Sequence, residues 1–145
     1  CQKGQSCADE AEQTATDIQN HVIARGEHCY VLLNNFPYNP GHIMISPYRH
    51  IHDLDQLTRE ERYEAIDLLA KAERCLKQVS SPQGFNAGLN LGTAAGAGIK
   101  DHVHFHLVPR WAGDTNFMPV IGEVRCLPEA LDATRDALRT SWKDA

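Results

Sequence analysis

Three histidines at alternating positions are the residues of this chain whose type and spacing could do chemistry. They occur in the run DHVHFHLVPRW, residues 101–111, at positions His102, His104 and His106. Alternate residues of a β-strand share one face and lie about 6.6 Å apart along its axis. We therefore predict a strand with three imidazoles on one face and a core face formed by Val103, Phe105 and Leu107.

A row of imidazoles is open to three interpretations. It could be an exposed polar strand face that happens to be rich in histidine. It could bind a metal ion, since neutral imidazole is a common ligand, although a strand supplies a third ligand less easily and Asp101 would lie on the opposite face. It could also hold a nucleophilic imidazole whose neighbours fix its tautomer and donate hydrogen bonds to an anionic leaving group.

A glycine-rich segment directly precedes the histidines and favours the third interpretation. The segment GTAAGAG, residues 92–98, leads straight into the histidine row. Backbone N–H groups that no side chain obstructs can bind phosphate oxygens. A glycine loop beside a row of imidazoles therefore indicates chemistry on a phosphate.

Length and composition predict one globular domain over residues 1–145. The net charge is −5, and the chain has neither a block of basic residues nor an apolar run of the roughly 20 residues that span a bilayer. We therefore expect no nucleic-acid partner and no membrane. Five scattered cysteines argue against a disulfide framework and predict a cytoplasmic protein. Because the chain begins on cysteine, we expect residues to be missing before it.

The pattern along the chain predicts an antiparallel α+β domain with one long helix and a C-terminal helix. Strands are predicted in residues 22–35, with a turn at 25–27, and in residues 43–51 and 85–92. The long helix covers residues 53–79 and the last helix residues 128–142, while residues 7–20 could form a short one. Thr58 and Glu61 predict a capping box. The helix's apolar stripe is predicted to be Ile66, Leu69, Ala70 and Leu76.

The run HVHFHLV resembles the His-φ-His-φ-His-φ-φ signature of the histidine triad family. The upstream NPGH, residues 39–42, strengthens the resemblance, and similar stretches cover residues 32–54, 84–98 and 106–122. They resemble the branch that contains diadenosine tetraphosphate phosphorylases and related hydrolases. The resemblance implies the family's fold, a homodimer, and cleavage of a dinucleoside polyphosphate at an α-phosphate.

The resemblance also implies roles for four histidines. His104, in the middle of the triad, would attack phosphorus and form a covalent nucleotidyl intermediate. His106 would contact the scissile phosphate, and His102 would help to set the orientation. His42 corresponds to the family's fourth histidine, which supports the site from the neighbouring strand.

Five further positions match nucleotide-binding positions of the family. Asn34 would bind ribose hydroxyls, Asn90 would contact phosphate, and the phosphate loop would contain Gly96, Ala97 and Gly98. Many family hydrolases carry Gln followed by Ser or Thr in this loop, so Ala97 and Gly98 argue against phosphoramidate cleavage and suit a phosphorylase. The motif RWAGDTNF also matches the phosphorylase-like branch, but the sequence assigns no role to Trp111, Asp114, Asn116 or Phe117.

The family resemblance further implies a structural zinc ion in several members. Its ligands here would be Cys1, His50 and His102, with the first cysteine of the usual pair lying before the chain. Cys7 could substitute, although its spacing from Cys1 is not a usual ligand spacing. The proposed chemistry requires no cofactor, and magnesium could arrive bound to the substrate.

Three classes of function remain to be distinguished. The favoured one is an enzyme that transfers a nucleotidyl group through His104 to phosphate or water. The second is another nucleotide-binding member of the same family, either a phosphoramidate hydrolase or a signalling module without catalysis. The third is a metal-binding protein whose histidine row is a set of ligands.

Overall fold

Five antiparallel strands and three α-helices make up the described part of the computed structural model, residues 7–96, 102–114 and 130–145. The helices are α1 (Cys7–Gln19), α2 (Arg59–Ser80) and α3 (Leu131–Asp144). The strands are β1 (Val22–Arg25), β2 (Cys29–Leu33), β3 (Ile43–Pro47), β4 (Gly84–Leu89) and β5 (Phe105–Arg110). The predicted α+β fold with an antiparallel sheet, a long helix and a C-terminal helix is confirmed. That one domain spans residues 1–145 stays a prediction.

The sheet has the strand order β1-β2-β3-β5-β4, so the histidine segment adjoins a central strand. Alternation along the strands separates a helix-packed face from an open face. The helix-packed face is buried in the core and includes Val31, Leu33, Ile43, Ile45, Phe105 and Leu107. On the open face Met44 pairs with Leu32 on one side and with His106 on the other, and His106 pairs with Gly88.

Helix α2 covers the core face and begins at Arg59 rather than at residue 53, because residues 54–56 form a separate 3-10 turn before the capping box. The Thr58 hydroxyl accepts from the backbone N–H of Glu61, and the Glu61 carboxylate accepts from the backbone N–H of Thr58. The carboxylate also pairs with Arg49, which together with that backbone bond outweighs desolvation and lowers the pKa of Glu61 to about 2. The predicted capping box is therefore confirmed, and the ion pair with Arg49 joins the end of β3 to α2.

The apolar stripe predicted for α2 is partly wrong. Ile66 is 55% exposed, and Ala70 is also exposed. The buried positions are Ala65, Ala72, Cys75 and Leu76, with Leu68, Leu69 and Val79 packed beside them. The stripe is therefore rotated, and the small residues Ala65, Ala72 and Cys75 lie in the core beside Leu76.

Glu64 fastens the middle of α2 to the turn between β1 and β2. Its carboxylate accepts the backbone N–H groups of Glu27, His28 and Cys29 at 2.6–2.7 Å. Three charge-assisted bonds to one carboxylate fix the register of the helix on the sheet. A Cβ on Gly26 would lie 2.5 Å from Glu64 Oε1, so a larger residue there would displace this carboxylate from its present position.

We expect the substitution Glu64→Ala to reduce the free energy of unfolding by about 2–4 kcal/mol, because it leaves three amide donors without their acceptor. Urea unfolding followed by circular dichroism measures this loss. Glu73→Ala is the matched control on the same helix, since it removes only an exposed pair with Lys77 and should cost about 0.5 kcal/mol or less. Equal losses in the two variants would contradict the fastening role.

Two of the five cysteines lie in the core as free thiols. Cys29 and Cys75 are completely buried. Burial, together with the nearby carboxylates of Glu64 and Glu61, raises the pKa of Cys29 to about 12, so its thiol stays protonated. Cys126 lies outside the described residues. No helix in the described ranges has the length and apolar character needed to cross a membrane.

Candidate active site

The open face of the sheet gathers the side chains that the sequence analysis selects as catalytic. Asn34 follows β2 and His42 precedes β3, and the backbone N–H of Asn34 donates to the carbonyl of His42 at 2.9 Å. The pairing of Ile43 with Leu107 places His42 next to β5. The sheet register thus brings together residues from three separate segments of the chain.

The histidine segment differs from the predicted strand at its beginning. β5 begins at Phe105, so His106 lies on the strand while His102 and His104 precede it. Before Phe105 the segment does not form the regular hydrogen bonds of a strand. Instead, the backbone N–H of Val103 donates to the carbonyl of Ile51, and the carbonyl of Val103 accepts from the hydroxyl of Ser46. The predicted core face is confirmed, because Val103, Phe105 and Leu107 are all buried.

The tautomers of His42 and His106 follow from a backbone donor. The backbone N–H of Tyr38 can only donate, and it lies 3.1 Å from Nδ1 of His42. A neutral His42 therefore carries its proton on Nε2, which lies 2.9 Å from Nδ1 of His106 and donates to it. The proton of a neutral His106 is consequently on Nε2. This buried Nε2 has no hydrogen-bond partner among the described residues.

A backbone acceptor places the proton of His104 on Nδ1, whereas His42 and His106 carry theirs on Nε2. Its Nδ1 lies 2.9 Å from the carbonyl oxygen of His102, which can only accept. A neutral His104 therefore carries its proton on Nδ1, and its Nε2 keeps the lone pair. The rings of His104 and His106 meet edge to face with centroids 4.7 Å apart. A nucleophilic nitrogen and an N–H donor are thus neighbours.

Burial keeps His106 neutral. Desolvation first, and the nearby His104 second, lower the pKa of His106 from its ordinary value of 6.5 to about 4. His106 is 8% exposed and His42 is completely buried. Near neutral pH the His106 ring is therefore neutral, and its single proton leaves Nδ1 free to accept the hydrogen bond from His42.

The residues predicted to bind the nucleotide are only partly described. Asn34 adjoins the histidines, with its Nδ2 3.4 Å from Nδ1 of His42 and its Oδ1 accepting from the backbone N–H of Phe36. Asn90 follows β4 and is half-buried, and Gly96 is exposed with φ +84°. Ala97 and Gly98 lie outside the described residues. Beside His106, Gly88 leaves open space, since a Cβ there would meet nothing within 4 Å.

Two of the three predicted zinc ligands lie side by side. The rings of His50 and His102 have centroids 4.6 Å apart. His102 Nε2 donates to the carbonyl of Pro47 at 2.7 Å, which leaves Nδ1 with its lone pair, an arrangement common in metal-bound histidine. Cys1 lies outside the described residues, and the described part contains no cluster of three potential ligands.

Sequence reasoning missed Tyr38 and Asn39, which adjoin this site, and named Asp114 without giving it a role. Tyr38 supplies the N–H that sets the His42 tautomer, and its ring lies 4.7 Å from that of His42. Nδ2 of Asn39 donates a hydrogen bond to Oδ2 of Asp114 at 2.7 Å, next to the turn that ends at His42. The signals that could have found the last two are the turn sequences NPG and WAGD, each of which places a polar residue beside a glycine turn.

Comparison with known proteins finds one matching family and several similar proteins. The family described as HIT domain matches residues 15–113. The AP-4-A phosphorylase of Mycobacterium tuberculosis (strain ATCC 25618 / H37Rv) is 48% identical over 127 residues, which are 88% of this chain and 65% of that protein. This chain therefore spans less than two thirds of that relative's length.

A second relative and a solved structure extend the comparison. The asymmetrical bis(5'-nucleosyl)-tetraphosphatase of Schizosaccharomyces pombe is 29% identical over 97 residues, 67% of this chain and 53% of that protein. A Zn-bound histidine triad family protein from Mycobacterium smegmatis superposes with a TM-score of 0.72 at 22% identity, covering 96% of this chain and 94% of that one. The structural likeness shows that the fold is shared.

Proposed function

Because the chain belongs to the HIT domain family, we propose that it cleaves dinucleoside polyphosphates such as diadenosine tetraphosphate through a nucleotidyl-histidine intermediate. The observation that carries the proposal is the pairing of His104, with a lone pair on Nε2, and His106, with a proton on Nε2. The 48% identity to an AP-4-A phosphorylase supports the choice of substrate.

The first step forms a bond between His104 and phosphorus. Nε2 of His104 attacks the α-phosphorus of diadenosine tetraphosphate, the P–N bond forms, and the bond to the bridging oxygen breaks. ATP leaves, and adenosine monophosphate remains attached to the ring. The Nε2–H of His106 donates to the phosphate whose negative charge increases, and the carbonyl of His102 stabilises the positive charge on the His104 ring.

The second step regenerates the imidazole. An oxygen of inorganic phosphate attacks the same phosphorus, the P–N bond breaks, and its electron pair returns to Nε2 of His104. The product is ADP; attack by water gives AMP and releases a proton. The loop residues Ala97 and Gly98 carry no hydroxyl that could assist the leaving group, which favours phosphate as the acceptor.

We expect the chain to convert diadenosine tetraphosphate and phosphate into ATP and ADP in equal amounts. Chromatography of the products, with and without phosphate, measures the partition between ADP and AMP. AMP in both reactions would identify water as the acceptor and contradict the phosphorylase assignment. Cleavage of adenosine phosphoramidate in preference to diadenosine tetraphosphate would favour the alternative hydrolase.

The pair His50 and His102 supports a structural zinc ion as a second proposal. Both side chains supply imidazole nitrogen, which zinc accepts, and Cys1 would be a third ligand. The ion would stabilise the segment before β5, and it takes no part in the steps above. Magnesium would bind with the polyphosphate of the substrate.

We also propose that the enzyme is a cytoplasmic homodimer. The free, buried thiols of Cys29 and Cys75 suit a reducing compartment. β4 is an edge strand whose central residues are exposed, so a second copy could pair with it. Sedimentation equilibrium measures the oligomeric state.

A further inference from the structure

Two turns that each contain a glycine lie next to each other, and the first of them ends at His42. In the first, residues 39–42, the N–H of His42 donates to the carbonyl of Asn39, and Gly41 has φ +77°. In the second, residues 111–114, the N–H of Asp114 donates to the carbonyl of Trp111, and Gly113 has φ +79°. Glycine at the third position is what a type II turn requires.

The carboxylate of Asp114 joins the two turns. Its Oδ2 accepts from Nδ2 of Asn39 at 2.7 Å and from the backbone N–H of Trp111 at 3.1 Å. Arg110 donates to both carboxylate oxygens, at 2.6 and 2.8 Å, and it also donates to the side-chain oxygen of Asn86 on β4. Asn39 Nδ2 also donates to the carbonyl of Pro109. The side chain of Asp114 is only 12% exposed, so these bonds are largely shielded from solvent.

The first turn sets the position of His42. The backbone of this turn packs closely against α2 and β5, since a Cβ on Gly41 would lie 3.0 Å from Leu76 and 3.3 Å from Pro109. Tyr38, directly before the turn, donates the N–H that fixes the His42 tautomer. A shift of the turn would therefore change the bond from Tyr38 to His42 and the following bond from His42 to His106.

We propose that Asn39 and Asp114 form a clamp that positions His42 and, through it, the N–H of His106. Neither residue contacts the reacting atoms in this scheme; both are positioning residues. The kinetic part of this inference rests on the proposed function, whereas its effect on the histidine rings does not.

The test compares the variants Asn39→Ala, Asp114→Ala and the double variant with the wild-type chain. We expect each single variant to lower kcat by about tenfold while KM changes less than about threefold, because the donor is misplaced but the binding face is intact. The double variant should lose no more than the larger single loss, since both side chains act through one bond.

Ring-nitrogen NMR of the free protein gives a readout that needs no substrate. In the wild-type chain His42 and His106 should each show one tautomer, with the proton on Nε2. In either variant we expect a mixture of tautomers for both rings. The two variants are independent, so if Asp114→Ala fails to fold, Asn39→Ala still decides the outcome.

Asp17→Ala is the matched control. Asp17 is a similarly buried carboxylate that accepts hydrogen bonds from Nε and Nη2 of Arg25 and from Nε2 of Gln13, outside both turns. It should lose stability but keep kcat within about twofold and keep both tautomers. Single tautomers in the clamp variants, additive kinetic losses, or an equal kinetic loss in Asp17→Ala would overturn the inference. If the wild-type chain cleaves no diadenosine tetraphosphate but the clamp variants still show mixed tautomers of His42 and His106, the proposed function is refuted and the positioning role of the clamp is retained.

Discussion

Replacing His104 with alanine should lower kcat/KM for diadenosine tetraphosphate by about 10⁴-fold or more, because it removes the atom that bonds to phosphorus. Binding of a non-hydrolysable analogue should change little, since the rest of the open face is intact. Product chromatography measures the rate, and titration calorimetry measures the binding.

The covalent step has its own measurement. Quenching the wild-type chain with substrate in alkaline denaturant, where a P–N bond to histidine is stable, should trap protein heavier by one adenylyl group, and His104→Ala should trap none. His52→Ala is the control, because His52 is exposed, pairs only with Asp53 among the contacts of the described residues, and lies outside the site. Normal turnover in His104→Ala would refute the proposed mechanism.

Replacing His106 with alanine should lower kcat by about 10²–10³-fold, because it removes the N–H that stabilises developing negative charge. His106→Gln should recover part of this loss, since its amide N–H can reach a position close to that of Nε2. Steady-state kinetics of both variants measure the difference. Equal activity of His106→Ala and the wild-type chain would show that another group supplies the donor.

The low pKa of His106 also predicts the pH dependence of stability. The unfolded chain takes up a proton on this ring near pH 6.5, whereas the folded chain takes it up only near pH 4. The contribution to stability is therefore complete above pH 6.5 and is lost as the pH falls from 6.5 through 4. Urea unfolding at pH 7 and 4.5 should show a smaller loss in His106→Gln than in the wild-type chain.

Much of the fold could be predicted from the sequence because local signals carry it. The alternation of Val103, Phe105 and Leu107 predicts a buried strand face, and the spacing of Thr58 and Glu61 predicts the start of α2. The stripe on α2 could not be predicted from hydropathy alone. Ala65 and Ala72 are buried in the core, whereas the more hydrophobic Ile66 is 55% exposed.

The amino-acid pattern alone selects the residue types proposed for the chemistry, which are alternating imidazoles beside a glycine-rich segment. The tautomer of each ring follows from the folded arrangement. A histidine tautomer depends on whether its neighbour is a donor or an acceptor, and those neighbours are the N–H of Tyr38 and the carbonyl of His102. The bond from His42 to His106 connects residues that are 64 positions apart. The sheet register brings these two residues together, and a sequence motif of a few residues cannot predict a contact over that separation.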